Sequence, residues 1–248
     1  MSSAAIAVPP ETKPLSEVER VVDTFIAPTK TFTDIRRSAS WWLPWLLMAI
    51  SSLVLVYVVD KKLGMEKVVE NQMALSPKQS AKLDQLPPDQ RAAQLEGVVK
   101  LNRTISFAYP VLALVIAVIM AAVLMGTFNF GFGAELTFNQ CLAVTLYSWL
   151  PGILKALIAM LVVGIGGAEG FTFQNPVASN LSGLVDPSSP FLYSVAMSLD
   201  VFTIWTLVLA GIGYSCLTKV KRSTCMAVVF GWWIVVVLGG AAIGAMFA

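Results

Sequence analysis

Five blocks of apolar residues, each close to the length of a membrane crossing, constrain this chain more than any other feature. A helix rises 1.5 Å per residue, so about 20 apolar residues cross a hydrocarbon core of about 30 Å. The blocks lie at about 41–59, 105–125, 141–163, 191–216 and 226–247, with the polar residues gathered between them. Charged residues make up 13% of the chain, against roughly 25% in a soluble domain. The expected fold is therefore all-α: a polytopic membrane bundle of five transmembrane helices, with a juxtamembrane amphipathic helix and a small helical extramembrane loop.

The polar stretches set the organisation. Residues 1–24 contain Pro, Ser and Glu with little periodicity and read as a flexible tail, and residues 25–248 as one membrane domain. The first fourteen residues carry no apolar core between a basic flank and a small-residue cleavage site, so no cleaved signal peptide is expected. From Thr29 to Ser40 the pattern becomes amphipathic. Pro28 can open a helix and Thr29 or Thr31 can cap it. Phe32, Ile35 and Ala39 share a face and Arg36 and Arg37 lie opposite, which predicts a short helix lying among headgroups. Trp41, Trp42 and Trp45 then anchor the first span at the interface that indoles prefer. Residues 60–104 form the longest polar segment. Helix starts at Ser76-Pro77 and Pro87-Pro88-Asp89 predict short helices over Lys78–Leu86 and Gln90–Val99, resting as a hairpin on the membrane surface. Pro110 falls in the first turns of the second span.

Further on, the run FNFGFG (residues 128–133) reads as an interfacial loop or a re-entrant turn. The third span contains Ser148, Pro151 and Gly152, where the proline kinks the helix and the glycine admits a neighbour. Residues 164–190, rich in Gly, Ser, Asn and Pro, form a loop. The last span holds Gly240 and Gly244, either a GxxxG packing face or a chance spacing in a Gly/Ala-rich helix.

The composition excludes much chemistry. There is no histidine, which removes Ser–His and Cys–His dyads and imidazole-based zinc sites. Cys141, Cys216 and Cys225 lack metal-type spacing and read as small buried or membrane-edge residues. A net charge of +2 without a basic stripe argues against nucleic acid. No metalloprotease, nucleophile-elbow, phosphate-loop or dinucleotide motif is present. Glu135 and Glu169 are isolated acids at membrane edges. No catalytic residue, cofactor or metal is expected.

Two ionisable residues fall inside the apolar blocks. A charge at bilayer depth costs on the order of 3 kcal/mol, so each needs a partner or water. Lys155 lies about eight residues before the end of its span and Asp200 about nine after the start of the next. Counted at 1.5 Å per residue, both sit ~12 Å below the same surface. They are expected to form an intramembrane ion pair, either a lock between two helices or a site coupling protons or ions. Otherwise Lys155 snorkels and Asp200 stays neutral. Five spans put the N-terminal flank (Lys30, Arg36, Arg37) and the loop with Lys219, Lys221 and Arg222 on one side, which positive charge makes cytoplasmic. Residues 60–104 carry eight Lys/Arg of their own, spread among six acids. The reading is N-terminus in, C-terminus out, with all three cysteines at reducing cytoplasmic ends.

The strings FIAPTKTFTDI (25–35) and WWLP (41–44) resemble the opening motif of prokaryotic members of the Yip family, named for eukaryotic Ypt/Rab-interacting membrane proteins. YSWLP (147–151) and DVFTIW (200–205), ending at Gly211 and Gly213, are similar to that family too. The resemblance covers roughly residues 20–245. It implies five spans, a cytoplasmic N-terminus and, for this branch, the inner or plasma membrane of a prokaryote. The acidic-aromatic Gly-Pro motif of the eukaryotic branch is missing, so recognition of Rab-type GTPases is not carried over. Three functions then compete. The first is a non-enzymatic scaffold or adaptor working through the lipid bilayer, other membrane proteins or self-association. The second is a small transporter or channel subunit using Lys155 and Asp200. The third is an intramembrane enzyme, for which no nucleophile and base are found.

Overall fold

The computed structural model describes residues 14–75, 77–167 and 169–247. These form eleven α-helices: α1 Glu17–Ile26, α2 Pro28–Asp34, α3 Trp42–Lys62, α4 Met65–Ala74, α5 Pro77–Asp84, α6 Pro88–Phe132, α7 Phe138–Ser148, α8 Pro151–Gly164, α9 Pro190–Ser198, α10 Val201–Leu217 and α11 Arg222–Phe247. Among the described residues there is no strand, and one isolated antiparallel bridge joins Asn180 to Asp200. Among the described residues, four segments are long and apolar enough to cross a membrane: Trp42–Lys62, Pro88–Phe132, Phe138–Gly164 and Arg222–Met246. The helix Val201–Leu217 is apolar but shorter.

The fourth block is therefore not one continuous helix. It breaks between α9 and α10, where Asp200 takes extended backbone and its side chain accepts from the N–H groups of Phe202 and Thr203. A carboxylate there satisfies helix-end donors and favours a new helix start over continuation of the old one. The third block is divided as well. Trp149 and Leu150 turn between α7 and α8, and Pro151 opens α8 at a position where its missing N–H is harmless.

Helix α6 departs most from expectation. It runs 45 residues without a break, about 67 Å at 1.5 Å per residue. The second span and the polar helix before it are one rod, with Pro110 deep inside it. The Phe/Gly run at 128–132 is its last turn, neither loop nor re-entrant. Gly133 stops it at φ 63°, a left-handed conformation that glycine reaches without strain. The polar end of α6 stands beyond the first span. It carries α4 through an Asn102–Gln72 hydrogen bond of 3.0 Å, and Arg103 meets Asp60 at the end of α3 at 2.7 Å.

The N-terminal segment is also ordered where it is described. A capping box, Ser16 with Glu19, starts α1, so helix replaces the tail expected from Glu17 onward; residues 1–13 and Ser76 lie outside the described residues. Helix α2 begins at Pro28 with Ala27 as its cap and no capping threonine. It does not lie flat with an apolar face toward lipid. Phe32 and Ile35 are fully buried in the main core, alongside Phe128, Val144, Tyr147 and Tyr214. A Cβ on Gly213 would stand 2.6 Å from Val144 Cγ1 and 3.0 Å from Phe32 Cδ1, and one on Gly211 would run into Met226 Sδ. These glycines let α2, α7 and α11 close on α10. Phe128 stacks on Tyr214 with ring centroids 4.6 Å apart.

Candidate functional site

Helix α3 shares a core cluster with α8, Leu55 and Val59 packing with Ala159 and Val163. Lys155 falls inside the apolar segment Phe138–Gly164, away from both of its ends. The pair Lys155–Asp200 is thus a mid-depth feature. Lys155 Nζ stands 3.1 Å from Asp200 Oδ2, with the lysine side chain 20% exposed and the aspartate 2%. Asp200 is fully engaged. Oδ1 accepts from Phe202 N at 3.0 Å and Thr203 N at 3.1 Å, and Oδ2 accepts from Lys155 and from the Ser179 hydroxyl. Val201 N donates to Ser179 O at 3.1 Å, so the segment after α8 is folded down onto the helix break. Four donors thus converge on one carboxylate, two of them the first N–H groups of α10.

This pair lines a cavity of about 830 Å³ bounded by α3, α6, α7, α8, α10 and α11. Its walls are mostly apolar, with polar groups at several heights: Ser106 on α6, Ser51 on α3, Lys155, Thr203, and Ser148 at the end of α7. Ser148 is fully buried and its hydroxyl has no hydrogen-bond partner. Around the cavity α6 packs on α3, α3 on α8, α8 on α10 and α10 on α11. Helices α6 and α11 do not pack along their lengths. Trp232 Nε1 donates to Thr127 Oγ1 at 3.0 Å near one end, and the gap opens beyond it. No group of three or more acidic or cysteine side chains suited to a metal occurs among the described residues.

A second polar cluster lies at the N-terminal hairpin. Arg20, 1% exposed, pairs with Asp34 at 2.6 Å and Glu17 at 3.5 Å, and Arg37 meets Asp34 at 3.0 Å. Tyr147 donates from its hydroxyl to Glu17 Oε2 at 3.0 Å, and Thr24 and Thr31 both donate to Arg20 O. Burial raises the Asp34 pKa, but hydrogen bonds and charge from Arg37 and Arg20 outweigh it and hold the carboxyl below its ordinary value. This clamp fastens α1 and α2 to α7. It escapes a reading that makes residues 1–24 a tail, although the Ser16/Glu19 capping box and the apolar spacing Val18, Val21, Val22, Phe25 were there to find it.

The remaining residues singled out by sequence are scattered. Trp42 is 51% exposed at the start of α3, whereas Trp41 and Trp45 pack on the core. Trp45 Nε1 donates to Pro110 O at 3.2 Å, so it ties α3 to the rod. Nothing approaches within 4 Å of where a Cβ would stand on Gly152, Gly240 or Gly244. The last two lie on an open face of α11, while neighbouring Ala241 is buried. The glycines that do admit neighbours, Gly211 and Gly213, carried no such assignment.

Compared with known proteins, residues 22–243 match the Yip1 domain family. No curated protein and no solved structure matches the chain.

Proposed function

The chain belongs to the Yip1 domain family, and from that premise we propose a non-enzymatic scaffold or adaptor that works inside the membrane through helix–helix and lipid contacts. The crossings number five when α9 and α10 are counted together as one broken span, with the N-terminal hairpin cytoplasmic. The observation that carries the reading is α11. The helix packs on α9 and α10, yet beyond Trp233 its face of Ile234, Val235, Leu238, Gly239, Gly240, Ile243 and Gly244 stays exposed among the described residues. Small residues flanked by branched ones suit close approach of another helix in lipid, where packing rather than water exclusion drives association. Helix α1 adds an exposed apolar line, Val18, Val22 and Ile26, beside the hairpin clamp.

The test is purification in a mild detergent, wild type against the double variant Gly240→Leu/Gly244→Leu, with co-purifying protein quantified against mock membranes. A stoichiometric membrane protein or a second copy, present with wild type and lost in the variant, is the expected result. A partner-free wild-type monomer overturns the reading.

The Lys155–Asp200 pair in a cavity wall favours a second reading, a small transporter or channel subunit. Paired ionisable groups at mid-depth are common along ion and proton paths, and a helix broken there is a feature of transporter sites. A solute flux in liposomes that is abolished by Lys155→Met would select this reading over the first.

A further inference from the structure

The cavity beside Lys155 has features that a helix lock alone does not require. Asp200 is saturated by four donors. Lys155 has three N–H bonds, and one is used on Asp200; the other two have no protein acceptor among the described residues. Ser148, fully buried with a hydroxyl that has no partner among the described residues, is among the residues bordering the same space. A buried donor without a partner is unfavourable, so this wall is complementary to acceptor oxygens that the described residues do not supply.

Charge, depth and access narrow the ligand. Lys155 and Asp200 together are neutral, and an added anion would leave a net charge in a medium of low dielectric constant. The donors sit near the middle of the span, where an ionic headgroup is costly and an uncharged lipid is at home. Access is sideways through the gap between α6 and α11, whose borders, Ile116 and Val236, are exposed and apolar. The volume, about 830 Å³, lies within the roughly 300–1,000 Å³ of small-molecule sites. We propose that this cavity binds one uncharged lipid from the bilayer interior, its carbonyl or hydroxyl oxygens accepting from Lys155 and Ser148 and its apolar chain lying against Met120, Leu124 and Leu207. Such an occupant gives an acceptor to the Ser148 hydroxyl and to the spare N–H bonds of Lys155, and it fills a space that is too apolar to hold water throughout. The site is independent of the α11 face and stands or falls separately from the adaptor reading.

The experiment uses the delipidated full chain in detergent and follows co-elution of radiolabelled dioleoylglycerol on gel filtration. Wild type is expected to hold one molecule per chain. Ala113→Trp, which fills the cavity from α6, is expected to abolish binding while the thermal unfolding midpoint stays close to wild type. Ser148→Ala removes one donor and no bulk, keeps the test alive should the tryptophan variant not fold, and is expected to weaken binding ~5-fold, the equivalent of one hydrogen bond. Displacement by unlabelled decylubiquinone supports the proposal and assigns the oxygens to a quinone; displacement by unlabelled dioleoylglycerol alone supports it and assigns them to a glyceride. Dioleoylphosphatidylglycerol, an anionic probe, should not compete. Equal competition by that anion, undiminished binding to a folded Ala113→Trp chain, or unchanged affinity in Ser148→Ala overturns it.

Discussion

The glycines of α10 and those of α11 are the same residue in two opposite environments. Gly211 and Gly213 sit where Met226, Val144 and Phe32 leave no room for a side chain, whereas Gly239, Gly240 and Gly244 meet nothing. The first pair belongs to the end of the bundle where α2 packs into the core. The second group lies on a face that the described residues leave uncovered. A GxxxG spacing alone does not say which helix a glycine faces; the bulky residues that surround it decide. One end of the molecule is thus closed by its own packing, and α11 beyond Trp233 keeps an exposed face.

The largest effect on this comparison is expected at the pair that holds the helix break. Asp200→Ala strands Lys155 at mid-depth and removes the cap of α10, with a cost of about 3–5 kcal/mol, read as lost thermal stability in detergent. The exchanged pair Lys155→Asp with Asp200→Lys should recover only part of it, because an ammonium cannot accept from the N–H groups of Phe202 and Thr203. Full recovery would mean that capping contributes nothing.

Next comes a matched substitution on the two sets of glycines. Gly213→Leu overpacks the closed end and should destabilise by about 1–3 kcal/mol or more. Gly240→Leu should leave monomer stability within about 0.5 kcal/mol. Unfolding midpoints measured side by side in one detergent decide it, and equal losses would erase the distinction between the two ends.

Smaller effects belong to the hairpin clamp. Tyr147→Phe removes the bond to Glu17 and should cost about 1 kcal/mol, seen as faster hydrogen exchange in α1. Asp34 has a depressed pKa in the folded chain. Its contribution is present above the ordinary carboxylate value near 4 and is lost as pH falls below it through the folded value. Protection of α1 should therefore be flat from pH 5 to 8 and decline below about pH 4, and a decline between pH 6 and 7 would exclude Asp34 as the cause.

Hydropathy made the lipid-solvated segments legible because every apolar block must be helical where lipid cannot satisfy backbone groups. It did not reveal where a helix breaks or continues. Asp200 is the single charged residue in the run from Phe191 to Cys216, and nothing in its hydropathy separates a charged residue inside a helix from a cap between two. Asp200 followed by Val201, Phe202 and Thr203 carries that cap signal locally. The polar residues from Pro88 to Thr104 read as a separate element because they leave the membrane, yet the backbone of α6 continues through the change of solvent. The spacing of Lys155 and Asp200 placed them at one depth, and the two meet at 3.1 Å. The cavity beside them was not legible, since it depends on α6 and α11 failing to pack along their lengths. Nor was the burial of Phe32 and Ile35, because an amphipathic face looks the same whether it meets lipid or a core.

The most direct test of the adaptor reading is a photo-crosslinking residue introduced at Ile243 of α11 and activated in intact native membranes, with Ala241, which is buried, as the control position. A discrete protein adduct from position 243, absent from position 241, is the predicted result. Adducts with lipid alone from position 243 would contradict the claim that this face is built for another helix.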